Sequence, residues 1–451
     1  MRFGLYTDMP GSLLPLIALV SLTFTKSSSF HNVTFSQVAN SSRSPRLRRL
    51  SFNDPKTVEM KLVDRSKSAL LPGGILYISQ WDYSINPCDF FRPDIHPELS
   101  EVNITRIAYH FRNCMDNGLG NILGDHYGYF ALALSAGIPY TMTCGDGEDS
   151  TKIHHIVLPG AEIPQISVLS VLQVNLTEPG PLPTDASGKV FDAAEVCTFG
   201  RVPTWYSHIG ADLVSDTIRE DMWRVAEADK AENSPFVPDD AVIHLRLGDV
   251  LYAFSGSHQR DGLLPHLTYS VLLKQASLEK GPIETISIVT QPFGGSGIRS
   301  FDIPGIERSK MIAYDLVKHL QEHFPNATVT IHNGSDEPPS RTYARLIRAK
   351  IVSICGPTTF CTFPVLGNRD GIGYILQGDG YFLNPWATRA AMQYDNIKVF
   401  GGPTLGDAYI ESLSDHDLLI WLNHQDPRTG YISIREDPVI RYPGIIKPDG
   451  I

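Results

Sequence analysis

Along the second half of the chain, short runs of branched apolar residues alternate with longer stretches whose apolar positions recur at helical spacing. The runs at 241–247, 285–289, 328–332, 351–355 and 373–377 read as buried strands. Between them, 266–279, 307–323 and 341–350 carry the 3.6-residue period, and a short helix comes after Thr358. Helices alternating with β-branched strands predict a doubly wound, mostly parallel sheet. The first half uses the same grammar once. Residues 75–78 and 104–111 read as strands, and 140–143 as the next; between the last two, 122–136 is a helix with Leu123, Tyr127, Phe130 and Leu134 on one stripe. Strand, glycine turn, helix and strand make a βαβ unit. Residues 156–208 are irregular and rich in Pro and Gly, where specificity loops are expected. Residues 212–229 form an amphipathic helix, 232–238 read as a linker, and a helix over 418–423 is expected to pack back across the domain junction.

This pattern predicts an α/β protein with a Rossmann-like domain at 70–232, a second at 239–400, and a tail at 401–451. Residues 1–30 are expected to lie outside the fold. Leu13 to Phe24 is a mostly apolar run of twelve, preceded by Arg2 and followed by Lys26 and three serines. Twelve suits a signal-peptide core and is short for a full span. An uncleaved signal-anchor also fits, because early secretory bilayers are thin; so does an N-terminal element packed on the core. Residues 31–69, Ser-rich and carrying Arg46, Arg48 and Arg49, read as a flexible stem.

Composition narrows the classes. A hydrophobic fraction of 42% and a charged fraction of 19% describe an ordinary globular protein, and a net charge of −11 argues against a nucleic-acid partner. Six Asn-x-Ser/Thr sequons, at Asn32, Asn40, Asn103, Asn175, Asn326 and Asn333, accompany the apolar leader. The six cysteines are an even set that suits three disulfides in an oxidising lumen. Their spacings match no zinc pattern, and no HExxH is present.

Three stretches carry chemistry. In Val242-Ile243-His244-Leu245-Arg246-Leu247-Gly248-Asp249, period 2 places Val242, His244 and Arg246 on one face of a strand. The strand's carboxyl end is where open α/β sheets bind ligands. A guanidinium there wants an anion, for which phosphate or the carboxylate of Asp249 both qualify. The turn Asp116-Asn117-Gly118-Leu119-Gly120-Asn121 opens a helix whose amides can hold a phosphate, although on local grounds alone a plain tight turn capped by Asn is the favoured reading. In Cys355-Gly356-Pro357-Thr358-Thr359-Phe360-Cys361, the threonines come after a strand and open a helix. They either hold phosphate oxygens within a small disulfide loop, or cap the helix beside two free thiols.

Together Gly118-Leu119-Gly120-Asn121, His244-Leu245-Arg246 and Thr358-Thr359-Phe360 resemble the fucosyltransferase group that includes protein O-fucosyltransferases and α1,2- and α1,6-fucosyltransferases. The resemblance spans about residues 104–370 and rests on three short motifs; the family's paired serines are threonines here. It implies a GT-B fold of two facing Rossmann-like domains. It also implies inverting transfer of fucose from GDP-fucose, with no metal, to a glycan or glycoprotein acceptor in the Golgi or endoplasmic reticulum. Arg246 would neutralise the departing β-phosphate, with His244 in support. Asn121, with Gly118 and Gly120, would reach the pyrophosphate, while Thr358, Thr359 and Phe360 would line phosphate and ribose. Asp249 would orient Arg246 or contact the nucleotide. No general base is assigned; Asp116, Asp125 and His126 lie near the glycine turn. Alternatives are the same fold with another nucleotide sugar, or a secreted module that binds glycans without turnover. A hydrolase would want a nucleophile or metal ligands at a strand end, and the sequence offers no such set.

Overall fold

A computed structural model describes residues 67–80, 82, 84–111, 119–144, 168–172, 175–176, 191–197, 208–232, 236–247, 262–293, 303–334, 337–378, 393–402 and 413–423, with further positions at 182, 184, 190, 251, 389–390 and 405–406. The leader, nearly all of the stem, Asn32 and Asn40 lie outside them. Among the described residues no helix is long and apolar enough to cross a membrane.

The N-terminal sheet has the order β1 (Ala69–Leu71), β2 (Ile75–Ser79), β3 (Arg106–Phe111), β4 (Tyr140–Cys144) and β5 (Asn175–Leu176). Its three central strands are parallel and both outer strands run antiparallel. Helix α1 (Leu119–Ser135) joins β3 to β4, which makes the βαβ unit. It begins earlier than its apolar stripe suggests, so Leu119, Gly120 and Asn121 form its first turn rather than a preceding loop. It ends at Gly137, whose φ of +65° lets the next amide, Ile138 N–H, reach back to Ala133 O. Within the irregular stretch lie α2 (Val168–Val171) and α3 (Ala193–Val196), the latter closed by an Asp192–Glu195 capping box. Cys197, directly after α3, is disulfide-bonded to Cys88.

Helix α4 (His208–Glu232) runs beyond the stretch read as amphipathic, and its last residue is the first of the stretch read as a linker. After it come β6 (Ala241–His244), β7 (Gly262–Leu263), α5 (His266–Lys280), β8 (Thr285–Thr290), α6 (Ile303–His323), β9 (Thr328–Asn333), α7 (Pro339–Arg348), β10 (Val352–Cys355), α8 (Thr362–Gly367), β11 (Ile372–Gly378), β12 (Ile397–Gly402) and β13 (Leu405–Gly406). Six of these strands form an all-parallel sheet in the order β12-β11-β10-β6-β8-β9, while β7 and β13 pair as a small ribbon. Numbered by chain position within the large sheet, that order is 3-2-1-4-5-6 read from β9, the Rossmann order. It bears out the doubly wound expectation for this sheet alone, since the N-terminal sheet runs in sequential order with antiparallel outer strands, and it adds β12, which the apolar pattern does not mark. β6 stops at His244 rather than at residue 247; one more ladder bond, Leu245 N–H to Val289 O at 3.0 Å, carries the chain past the strand end.

Both sheets belong to one unit, Lys61–Ile451, and α4 runs between their helices. On one side the Tyr127 hydroxyl of α1 donates to Asp221 at 3.2 Å. On another, Gly367 of α8 lies so close that a methyl there would sit 2.5 Å from Met222 Cβ. From α7, Arg341 pairs with fully buried Asp229 at 2.8 Å, and Arg348 pairs with Glu227. Arg389 and Tyr394 also reach α4, through Asp212 and Asp216 respectively. The tail helix Asp415–Asn423 lies on α5 and α6, where Arg308 pairs with Asp415 at 2.9 Å.

Candidate functional site

In this strand order the topological switch point falls between β6 and β10, the place at the carboxyl ends where open α/β sheets bind their ligands. β6 and β10 are paired so that His244 stands opposite Cys355, the last residue of each strand. The segments that leave the two strands therefore share one edge: Leu245-Arg246 from β6, and Gly356-Pro357-Thr358-Thr359-Phe360 from β10.

Arg246 is half-buried, and its Nη1 donates to Oε1 of Gln291 at 3.4 Å. Gln291 comes directly after β8, the neighbour of β6, so the two side chains leave adjacent strand ends on the same face. His244 is 4% exposed and its Nδ1 has no hydrogen-bond partner. Its ring stacks on Phe360 with centroids 5.3 Å apart. Burial first, and the Arg246 charge second, hold its pKa down at about 3. The ring is thus neutral at physiological pH, and positive charge at this edge comes from Arg246 alone of the pair.

The β10–α8 turn is pinned internally. Cys355 and Cys361 are disulfide-bonded, as the small-loop reading required, and both are fully buried. Thr358 N–H donates to Gly356 O at 2.7 Å, and Phe360 N–H to Thr358 Oγ1 at 3.3 Å. Those two amides are already engaged, and α8 starts only at Thr362, so Thr358 and Thr359 precede the helix instead of opening it. Tyr343 of α7 holds Phe360 from behind: its hydroxyl donates to Phe360 O at 2.8 Å, and the rings meet edge to face at 5.1 Å.

The third motif arrives from the other sheet. The first turn of α1 presses on this turn so closely that a Cβ on Gly120 would lie 2.4 Å from Thr359 C and 2.5 Å from Phe360 N. Beside it, the Thr359 hydroxyl donates to Asn121 Oδ1 at 2.8 Å. The structure therefore brings Gly120, Asn121, His244, Arg246, Thr358, Thr359 and Phe360 together. Gly118 and Asp249 lie outside the described residues, as does Asp116.

The remaining candidates for a base belong to the core. His126 is 1% exposed, lies 2.8 Å from the Tyr140 hydroxyl through Nδ1, and is held at about 3 chiefly by burial. Asp125 accepts from Tyr109 at 3.2 Å. Asp239 and Asp240 sit at the opposite, amino edge: Asp239 accepts from Arg345 at 3.1 Å, and Asp240 caps the Glu284 and Thr285 amides at 2.9 and 3.0 Å. Gln291 and Tyr343 were not among the expected site residues. Gln291 was findable, as the residue after the strand adjacent to β6; mid-helical Tyr343 carries no sequence signal.

Among the sequons, Asn103 and Asn326 are exposed, Asn333 is half-buried at the end of β9, and Asn175 lies in β5. The disulfides Cys88–Cys197 and Cys355–Cys361 fit an oxidising, secreted or lumenal environment; Cys114 lies outside the described residues. Among the described residues no group of His, Cys, Asp and Glu is placed to hold a metal ion. In comparisons with known proteins, no family model, no curated protein and no solved structure matches this chain.

Proposed function

We propose that the chain is a GT-B-type glycosyltransferase of the secretory pathway that transfers fucose, with inversion, from GDP-fucose to a hydroxyl of a glycan or protein. The observation that carries this reading is the convergence of three motifs, far apart in sequence, at the switch point. His244 stacks on Phe360, Asn121 is bonded to Thr359, and Gly120 abuts the Thr359–Phe360 peptide. A crevice lined from two α/β sheets, with an arginine at a strand end, suits a ligand that is part base and part diphosphate.

In this reading Arg246 stabilises the charge that develops on the β-phosphate as the glycosidic bond breaks, the moment at which a preorganised donor lowers the barrier most. Gln291 braces the guanidinium. Neutral His244 supplies a flat buried support rather than a second charge. Asn121 adds an amide donor from the opposite wall. The acceptor hydroxyl enters between the two sheets, and the disulfides and the sequons support the lumenal setting.

The test is thermal stabilisation by GDP, UDP and CDP, and then transfer assays with GDP-fucose. A ligand that binds only the folded state raises its melting temperature in proportion to ln(1 + [L]/Kd). A shift for GDP alone supports the donor assignment. A shift for UDP instead moves the assignment to another nucleotide sugar, and no shift with any nucleotide favours a glycan-binding module without turnover.

A further inference from the structure

The resemblance assigns the Thr359 hydroxyl to the phosphate and ribose; the bond it makes points elsewhere. Thr359 Oγ1 donates to Asn121 Oδ1 at 2.8 Å, across the seam between the two sheets. A primary amide has an acceptor end and a donor end, and an exposed asparagine is otherwise able to present either. A phosphate is repelled by the carbonyl oxygen and attracted by the amide hydrogens. A donor fixed on Oδ1 removes the wrong presentation and leaves the Nδ2 hydrogens for the ligand. The backbone keeps the two partners at this spacing, because the first turn of α1 rests on the Thr359–Phe360 peptide at Gly120. The threonine methyl also limits χ1 and holds the hydroxyl in place.

We infer that Thr359 is a positioning residue, which orients the Asn121 amide as a hydrogen-bond donor for the diphosphate of a nucleotide ligand. This rests on the nucleotide-sugar reading and changes the part Thr359 plays in it. The hydroxyl acts through Asn121, and the side chain that meets the anion is contributed by the other sheet. The prediction is specific to phosphate: the nucleoside portion should not sense the bond.

The test is a double-mutant cycle in the full chain, with GDP and guanosine affinities measured by calorimetry. Thr359→Val removes the hydroxyl at nearly constant volume, Asn121→Ala removes the amide, and Thr359→Ser keeps the donor. Loss of one charge-assisted donor should weaken GDP binding by roughly ten- to hundredfold in either single variant. Guanosine binding should be unchanged, and Thr359→Ser should bind GDP as the parent does. The double variant should bind no worse than the weaker single variant, because coupled residues do not add. If Thr359→Val binds GDP like the parent, or if the two losses multiply, Thr359 does not position Asn121 and the nucleotide reading still stands. A parent that binds GDP no better than guanosine overturns both.

Discussion

Replacing Gly120 by alanine asks whether the seam between the two sheets is as close as its geometry states. A methyl there would meet Thr359 C at 2.4 Å, with Phe360 N and Thr359 O both at 2.5 Å. Ordinary carbon contacts are about 3.5–4.0 Å, so something must move by about 1 Å. All three atoms are backbone, and their turn is fixed by the Cys355–Cys361 disulfide and by Tyr343 on Phe360 O, so no rotamer change gives relief. Overpacking of this kind costs about 1–3 kcal/mol, and the absence of a yielding side chain favours the upper part of that range. Against it stands the helix preference of Ala over Gly, about 0.5–1 kcal/mol. The net expectation is a loss of roughly 1–2 kcal/mol in urea unfolding, together with weaker GDP binding as Asn121 is pushed away from Thr359. A Gly120→Ala protein as stable as the parent and equal to it in nucleotide affinity would refute the reasoning. It would mean that α1 and the β10–α8 turn do not touch in solution.

Arg246→Ala should lower transfer by about 100-fold or more while urea unfolding changes by less than about 1 kcal/mol, because in the proposed reading the half-buried guanidinium serves the departing phosphate; if the domain unfolds instead, the arginine is a structural ion-pair partner. The second expectation concerns acid. His126, His244 and His319 are each held at about 3, against an ordinary 6.5, with burial the first cause. The unfolded chain then binds more protons than the native one between those values. The stabilisation is fully present above 6.5 and is lost as pH falls towards 3, by at most about 4 kcal/mol per pH unit for the three rings together. Urea midpoints should therefore drop from pH 7.5 to 5.5, and a flat profile would contradict the burial of these rings. Finally, mass spectrometry of protein made in a secretory host should find glycan on exposed Asn103 and Asn326 but not on half-buried Asn333, which is paired with Thr290 in the β8–β9 ladder; the reverse pattern would show that β9 is accessible at its end.

The large sheet was legible because buried parallel strands announce themselves as branched apolar runs. Five of its six strands fall where the pattern places them. β12 escaped because Ile397–Gly402 ends in a glycine pair and carries Lys398, a side chain engaged by Glu279 at 2.7 Å rather than one that marks a strand. Past His244 the apolar pattern runs on through Leu245 and Leu247 although the strand has ended, because both residues stay buried in irregular backbone. The site was legible in its parts and not in its assembly. A strand-end arginine, a glycine pair and a threonine pair each signal chemistry locally. That Gly120 is small because a peptide from the other sheet lies against it is a fact about distance, and period and composition carry no such information. The link from Cys88 to Cys197 was hidden for the same reason: its partners lie 109 residues apart.

Helix α4 has a practical consequence for anyone who wishes to divide this protein. In sequence the natural cut is after Glu232, where the chain leaves one α/β half for the next. In space that cut assigns to the first half a helix whose Met222, Asp229 and Glu227 are the receiving surface for α8 and α7 of the second. Expressed alone, the first fragment would carry an uncovered apolar stripe at Met222, Val225 and Ala226, and the second would lack the wall on which its helices close. Co-expressed, however, the two pieces own complementary faces of one interface. The boundary that looks like a hinge on paper is thus a candidate split site for a reconstituting pair, whose native packing would return only when both fragments meet around the same helix.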